Sequence, residues 1–380
     1  MKNTDKINIL FIIDVLWGGG GTEHHLYYLT KYLNREKFRC YIVTFDLKEM
    51  LVKKIRREGI KVFHVPVARY YTPNALYKAY ELRKIIKRNM IDIVQTFHFK
   101  SDTYGVLVSR LSGVKKIISS RRDTGDTKKK WHTFLNKIMN TQINRFITVC
   151  DAVGERLSAD EGIAKSRQVT IYNGVDLERF TVQNKDVISR LRSKFNISRD
   201  DFVVGTVAHF RPEKNYDIFL RAMREVKETI NNLKVLAVGR GPTLNECKAY
   251  CAKNRMNDYV LFPGRVDDVR DYIDIMDVAC LVPGSNEGFS NAILEKMAKG
   301  KPLVVTDTGG NAEAVKDGEN GIVIPPFNHK RLAEAIIYLY DNPLLRGEMG
   351  RKSREMAEKF FSIEKMITKH EILYHEIIES

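Results

Sequence analysis

The chain lacks most of the short signatures that announce a particular chemistry. No apolar run approaches the ~20 residues of a membrane-spanning helix, so the chain is expected to stay in solution or to rest on a membrane without crossing it. There is no Gly-x-x-x-x-Gly-Lys-Ser/Thr, which excludes a P-loop, and no Gly-x-Gly-x-x-Gly, which removes the dinucleotide fingerprint. Cysteine is scarce: Cys40, Cys150, Cys247, Cys251 and Cys280 include no Cys-x-x-Cys pair. These read as reduced, buried thiols of a cytosolic protein rather than as a disulfide framework or a zinc site. Low-complexity stretches and short-period repeats are missing too. Lysines precede the apolar Ile7–Ile13, but Asp14 interrupts the run and Gly18–Gly21 follow without a small-residue cleavage site. A first buried strand fits this better than a signal peptide.

What is present is the composition of a globular protein. The 380 residues are too many for one ordinary core and suit two domains. Apolar residues make up 43% and charged residues 29%, which excludes a disordered chain. The net charge is +16, and all of it lies in one half. Residues 1–175 carry 32 Lys and Arg against 16 Asp and Glu, whereas residues 176–380 carry 31 of each. Such a skew points the first half towards an anionic partner: nucleic acid, an acidic membrane surface or a phosphorylated acceptor.

Hydrophobic periodicity gives a two-fold rhythm. Ile7–Leu16 is a mainly apolar run, as in a parallel strand covered on both faces. A helix over Glu23–Leu33 follows, with Leu26, Leu29 and Leu33 on one face. Further strands are expected at Cys40–Phe45, Val62–Val65, Ile91–Thr96, Lys116–Ser120 and Arg145–Val149. The rhythm restarts at Phe202–Ala208 and continues through Leu233–Val238, Val260–Phe262, Val278–Val282, Leu303–Thr306 and Gly321–Ile324. Helices fill the gaps, among them Tyr216–Thr229 and Asn291–Lys299, the latter closed by Gly300. Strands alternating with helices predict two doubly wound α/β domains, with the polar stretch 176–201 as linker and ligands at the carboxyl ends of the strands, in a cleft between facing domains.

Four loops after predicted strands carry the candidate chemistry. Gly18-Gly19-Gly20-Gly21-Thr22-Glu23 lets backbone amides approach a ligand at a helix N-terminus. Ala208–Asn215 brings Arg211 and Lys214, a forked donor and a point charge suited to a diphosphate; a solvated helix start is the plainer alternative. Glu287-Gly288-Phe289-Ser290-Asn291 opens a helix whose first amides can hold phosphate, with Glu295 inside it. A charge among Ile293, Leu294 and Met297 is seldom buried without a partner. Thr308-Gly309-Gly310 is a second glycine turn on the same edge.

The run from Pro283 through Glu287 to Glu295, then Met297–Pro302 and Gly309–Glu313, resembles the Glu-x7-Glu signature of retaining glycosyltransferases. It is similar to glycosyltransferase family 4, of the GT-B fold. Gly20–Glu23, Asn173–Asp176, Gly239–Pro242 and Phe262–Gly264 support the resemblance, which spans nearly the whole chain. It implies a nucleotide-diphosphate sugar, UDP- or GDP-linked, as donor substrate, with no cofactor. It assigns Arg211 and Lys214 to the diphosphate, Glu287 to the sugar hydroxyls, Glu295 to the ribose, and the backbone near Val266 to the base. Gly20 and Gly21 would border the reaction centre, and His98 would touch the donor sugar; a packing histidine is the alternative. The resemblance also implies residues 1–175 as acceptor domain, 176–360 as donor domain, and 361–380 as a C-terminal helix packing back towards the first. Many relatives carry the arginine five residues before the lysine, where this chain has His209; Arg211 stands three before.

No Asp-x-Asp occurs anywhere, so metal-independent hexosyl transfer is expected, with cations and a helix N-terminus acting on the leaving group. The expected product is a cell-surface polysaccharide or glycolipid, made from a glycan or lipid-linked acceptor. A nucleotide-sugar 2-epimerase of similar fold is the alternative enzyme, and a non-catalytic sugar-nucleotide or nucleic-acid binder the third class. Aromatic interleaving is missing from the basic stretches, which argues against nucleic acid. Basic clusters recur at 53–57, 83–88 and 128–130. The last opens a helical stripe of Trp131, Phe134, Leu135, Ile138 and Met139 that either faces the core or dips into an anionic headgroup layer at the inner face of the cell membrane.

Overall fold

The computed structural model describes residues 6–18, 20–67, 72–125, 130–181, 185–266, 268–285 and 287–380. Gly19, Lys128, Lys129 and Asn286 of the sequence motifs lie outside them. The chain divides into two compact units: Met1–Asn173 with Ile363–Ser380, and Gly174–Ser362. The expected linker at 176–201 belongs to the second unit and carries the helices Leu177–Thr181 and Lys185–Lys194.

The first unit is built on a seven-stranded sheet in the order β3-β2-β1-β4-β5-β6-β7. Its strands are β1 (Ile7–Leu16), β2 (Phe38–Leu47), β3 (Lys61–His64), β4 (Ile93–Phe97), β5 (Lys116–Arg121), β6 (Arg145–Thr148) and β7 (Gln168–Thr170). All pairings are parallel, with Ile9 facing Cys40 on one side of β1 and Ile93 on the other. Burial on both faces explains the unbroken apolar run of β1: Ile9–Ile13 are fully buried. The three-residue β7 had no such run and gave no periodic signal. Connections from β1 to β3 step one way across the sheet and those from β3 to β7 step the other. Right-handed crossovers therefore place their helices on opposite faces. The C-terminal helix Ile363–Glu379 joins the first of these faces: Met366, Ile367, Leu373 and Tyr374 enter its core, and Tyr374 Oη donates to Gln95 Oε1 at 2.5 Å.

The second unit carries a six-stranded parallel sheet in the order β10-β9-β8-β11-β12-β13. The strands are β8 (Phe202–Val207), β9 (Leu233–Val238), β10 (Val260–Gly264), β11 (Val278–Leu281), β12 (Leu303–Thr306) and β13 (Gly321–Ile324). The helix Tyr216–Thr229 buries Phe219, Leu220, Met223 and Val226, the 3–4 spacing that its sequence shows. The helix Asn291–Ala298 ends at Lys299, and Gly300 takes φ +64° in the left-handed region that a C-terminal glycine supplies. All five cysteines are free, and four are buried. Among the described residues no helix is long and apolar enough to cross a membrane.

Candidate functional site

Each sheet reverses its strand order once, between β1 and β4 in the first unit and between β8 and β11 in the second. Open α/β sheets bind ligands at such points, because the loops diverge to opposite faces and leave a crevice. The glycine loop follows β1, His98 follows β4, and the loops of Lys214 and Glu287 follow β8 and β11; the Thr308–Gly310 turn follows β12, next to β11.

In the second unit the loops are stitched together by backbone hydrogen bonds. Gly284 N–H, after β11, donates to Glu213 O, after β8, at 3.0 Å. Gly310 N–H, after β12, donates to Gly288 O at 2.7 Å. Gly309 sits at φ +56°, and a Cβ there would lie 1.9 Å from Glu287 O, so only glycine allows this approach. This scaffold brings Lys214 and Glu287 into a hydrogen-bonded ion pair across 73 residues of sequence. Directly beyond, Ser290 caps the helix Asn291–Ala298 by position only, with no side-chain hydrogen bond to its amides. The N-terminal amides are thus without a side-chain cap beside a lysine, a natural seat for an anion. Gly288 and Ser290 are buried, and the Asn291 Oδ1 has no hydrogen-bond partner. The Phe289 ring packs on Phe361 with centroids 5.3 Å apart.

Arg211 does not join the pair. It follows β8 with its side chain 59% exposed, its Nη1 3.9 Å from Glu213 Oε1. Val266 is partly buried after β10. Glu295 lies in the second turn of the helix, where burial pushes its carboxyl up to about 7 against the opposing charges of Lys296 and Arg179. Lys296 was not singled out in the sequence. It is fully buried, its Nζ has no hydrogen-bond partner, and desolvation pushes it down to about 8 against the pull of Glu295, Cys280 and Glu287. The signal was available: a lysine inside the apolar helix face that the site already uses.

An ammonium held at about 8, against 10.5 for an ordinary lysine, costs stability wherever it is protonated in the fold. Lys296→Met should therefore stabilise the protein by about 1–4 kcal/mol at pH 7. The unfolded chain binds the extra proton between the two values, so native stability rises with pH there and the advantage of methionine shrinks. Thermal melts of both proteins at pH 7 and pH 10 check this; equal Tm values at pH 7 would contradict it.

In the first unit the glycine loop departs from expectation. Two of its amides are already taken: the buried Glu23 carboxylate folds back to accept from Gly18 N at 3.0 Å and Gly20 N at 2.5 Å, as well as from Trp17 N just before the loop. The protein supplies its own anion there. Gly20 and Gly21 form the start of the helix Gly21–Tyr32. His98 follows β4 at φ +75°, a conformation disfavoured for a residue with a Cβ, and leads into a π-helical turn at Ser101–Gly105. Its Nδ1 is buried without a hydrogen-bond partner. Asp14 steadies this turn by accepting from Lys100 N at 2.8 Å and Ser101 N at 2.7 Å. In the sequence Asp14 counted only as an interruption of an apolar run. Arg122, after β5, donates to Asn173 Oδ1, and burial pushes its guanidinium down to about 9.

Two parallel-sheet units, each with its motif loops at the switch point, define the GT-B class of sugar-transferring enzymes. A family model described as Glycosyltransferase Family 4 matches residues 19–179, and one described as Glycosyl transferases group 1 matches residues 187–356. The chain belongs to the GT-B glycosyltransferases of the family 4 type. It is 24% identical over 312 residues to N-acetyl-alpha-D-glucosaminyl L-malate synthase of Bacillus anthracis, covering 81% of each chain. It is 26% identical over 313 residues to the UDP-Gal:alpha-D-GlcNAc-diphosphoundecaprenol alpha-1,3-galactosyltransferase of Escherichia coli, covering 78% of each. The crystal structure of Anabaena HepE in complex with UDP superposes with a TM-score of 0.87 at 18% identity, covering 97% of this chain and 100% of that one.

Proposed function

We propose that this enzyme transfers a hexose from a UDP- or GDP-linked donor to a glycan or lipid-linked acceptor, with retention and without a metal ion. The Lys214–Glu287 pair beside the uncapped helix Asn291–Ala298 carries the reading. It combines a cation and helix N-terminal amides without a side-chain cap, for a diphosphate, with a carboxylate for sugar hydroxyls. On donor binding Lys214 turns from Glu287 to the diphosphate and stabilises the charge that develops as the C1–O bond breaks. Glu287 is then free to accept from the sugar. The acceptor oxygen attacks C1 on the face the nucleotide leaves, and its proton passes to the departing phosphate oxygen. Glu295 takes the ribose hydroxyls. Arg211, now lying outward, reaches the diphosphate only by swinging in, and His98 contacts the donor sugar from the first unit.

Two relatives support the donor and acceptor classes. The Anabaena neighbour was solved with UDP, and the name of the Escherichia coli relative specifies UDP-Gal and a diphosphoundecaprenol acceptor. By the same reading, acceptor choice lies in the first unit, and the product serves a surface polysaccharide or glycolipid. Incubation with labelled UDP- and GDP-sugars, followed by mass spectrometry of products, tests the proposal. Transfer or slow donor hydrolysis is expected; isomerisation of the donor would favour an epimerase, and binding without turnover a sugar-nucleotide sensor.

Turnover should survive EDTA unchanged. The missing Asp-x-Asp and the cationic loop at Lys214 motivate this. Complete loss in EDTA, reversed by magnesium or manganese, would contradict it.

A further inference from the structure

The helix Lys130–Asn140 is turned inside out. Its buried residues are polar: Asn136 and Asn140, 1% and 3% exposed, donate to the Glu161 carboxylate at 3.0 and 2.8 Å. Three of its apolar residues face outward, Trp131, Phe134 and Ile138, exposed by 50%, 64% and 50%, while Leu135 and Met139 are half-buried. The stripe read from the sequence therefore splits: Met139 packs against the core, while Trp131, Phe134 and Ile138 do not enter it. A helix keeps this arrangement only when something apolar meets it or when its exposed apolar area is tolerated at a cost.

The same face continues on two neighbours. The helices Pro73–Arg88, Val106–Leu111 and Lys130–Asn140 follow connections that step the same way across the sheet, so they share one side of it. Arg83 Nη1 donates to Leu111 O at 3.1 Å and joins the first two; Arg110 Nε donates to Gln142 O at 2.8 Å and ties the second to the end of the third. Tyr77, Tyr80 and Leu111 extend the exposed apolar surface, at 59%, 61% and 67%. The charge on these three helices is almost all positive, although the neighbouring helix Asp151–Glu161 carries exposed Asp151, Glu155 and Asp160. Pro73–Arg88 holds Lys78, Arg83, Lys84, Lys87 and Arg88 against Glu81 alone, and the other two helices contain no acid. Aromatic and aliphatic side chains flanked by lysines and arginines on adjacent helices match the headgroup region of an anionic bilayer: rings and leucines enter the acyl boundary while the cations meet phosphates.

We propose that this three-helix face docks the enzyme on an anionic membrane surface. Docking is independent of the donor chemistry, so donor hydrolysis measured in solution reports on one and vesicle binding on the other. Trp131 is one of two tryptophans, and Trp17→Phe leaves it as a single reporter. With vesicles of roughly one-third phosphatidylglycerol in phosphatidylcholine, the protein should sediment, its emission should shift to the blue, and brominated acyl chains should quench it. Binding should weaken at least tenfold, on the order of the screening of a few charges, between low and high salt. Phe134→Ser with Ile138→Ser should abolish the shift, and Lys84→Ser with Lys87→Ser should weaken sedimentation, all in proteins of unchanged circular dichroism. No sedimentation at low salt overturns the proposal, as does binding equal on pure phosphatidylcholine or insensitive to Phe134 and Ile138. Self-association that Phe134→Ser abolishes would also overturn it, because a second copy would then be the partner of this face.

Discussion

Lys214→Ala should lower turnover by roughly 10²–10³, the loss seen when one preorganised charge at a developing oxyanion is removed. Two effects add. The leaving diphosphate loses its point cation, and Glu287 loses the partner that neutralises it in a half-buried position. An unpaired carboxylate beside an incoming diphosphate is repulsive, so donor affinity should fall together with kcat. Arginine at the same position should recover part of the rate, since it restores charge without the compact ammonium geometry. The measurement is steady-state kinetics of donor hydrolysis or transfer on protein with wild-type thermal stability. A folded Lys214→Ala enzyme with near-normal kcat/KM would remove Lys214 from the mechanism and leave the diphosphate to the helix N-terminus and Arg211.

Arg121→Met should cost about 3–5 kcal/mol of stability, because it leaves buried carboxylates without their cation. Arg121 is 5% exposed and lies 3.4 Å from Asp102 Oδ2 and 3.3 Å from Glu161 Oε2. Its Nη2 donates to Asn140 Oδ1 at 2.9 Å. Asp102 also accepts from Thr96 at 2.6 Å and Ser119 at 2.7 Å, which anchors the π-helical turn after His98. A loss of this size lowers Tm by roughly 10 °C in a unit of this length. The network links the turn that carries His98 to the helix whose apolar side faces out, so the mutant should also bind vesicles less well. Calorimetry checks the first effect; a Tm within a degree or two of wild type would show that the network relaxes or admits water.

The doubly wound architecture was legible because parallel strands covered on both faces must be mostly apolar, and β1, β8, β9 and β12 are, with Asn8, Asp14, Thr206, Lys234 and Thr306 as their polar exceptions. The Glu287–Glu295 spacing and its glycines were legible for a related reason: backbone approaches as close as that at Gly309 admit no side chain and so leave a mark in sequence. β7, three residues without a periodic pattern, left none.

Other features depended on groups far apart in the chain. Sequence alone could present Gly18–Gly21 as open amides, but only the fold shows Glu23 bending back to occupy those of Gly18 and Gly20, since a free carboxylate has many competing donors. Sequence could give the 3–4 spacing of Trp131, Phe134 and Ile138, and spacing is the same whether a face turns in or out. The carboxylate of Glu161, two dozen residues away and buried beside Arg121, decided the direction: its remaining lone pairs need donors, so Asn136 and Asn140 turned inward and Trp131, Phe134 and Ile138 turned to solvent.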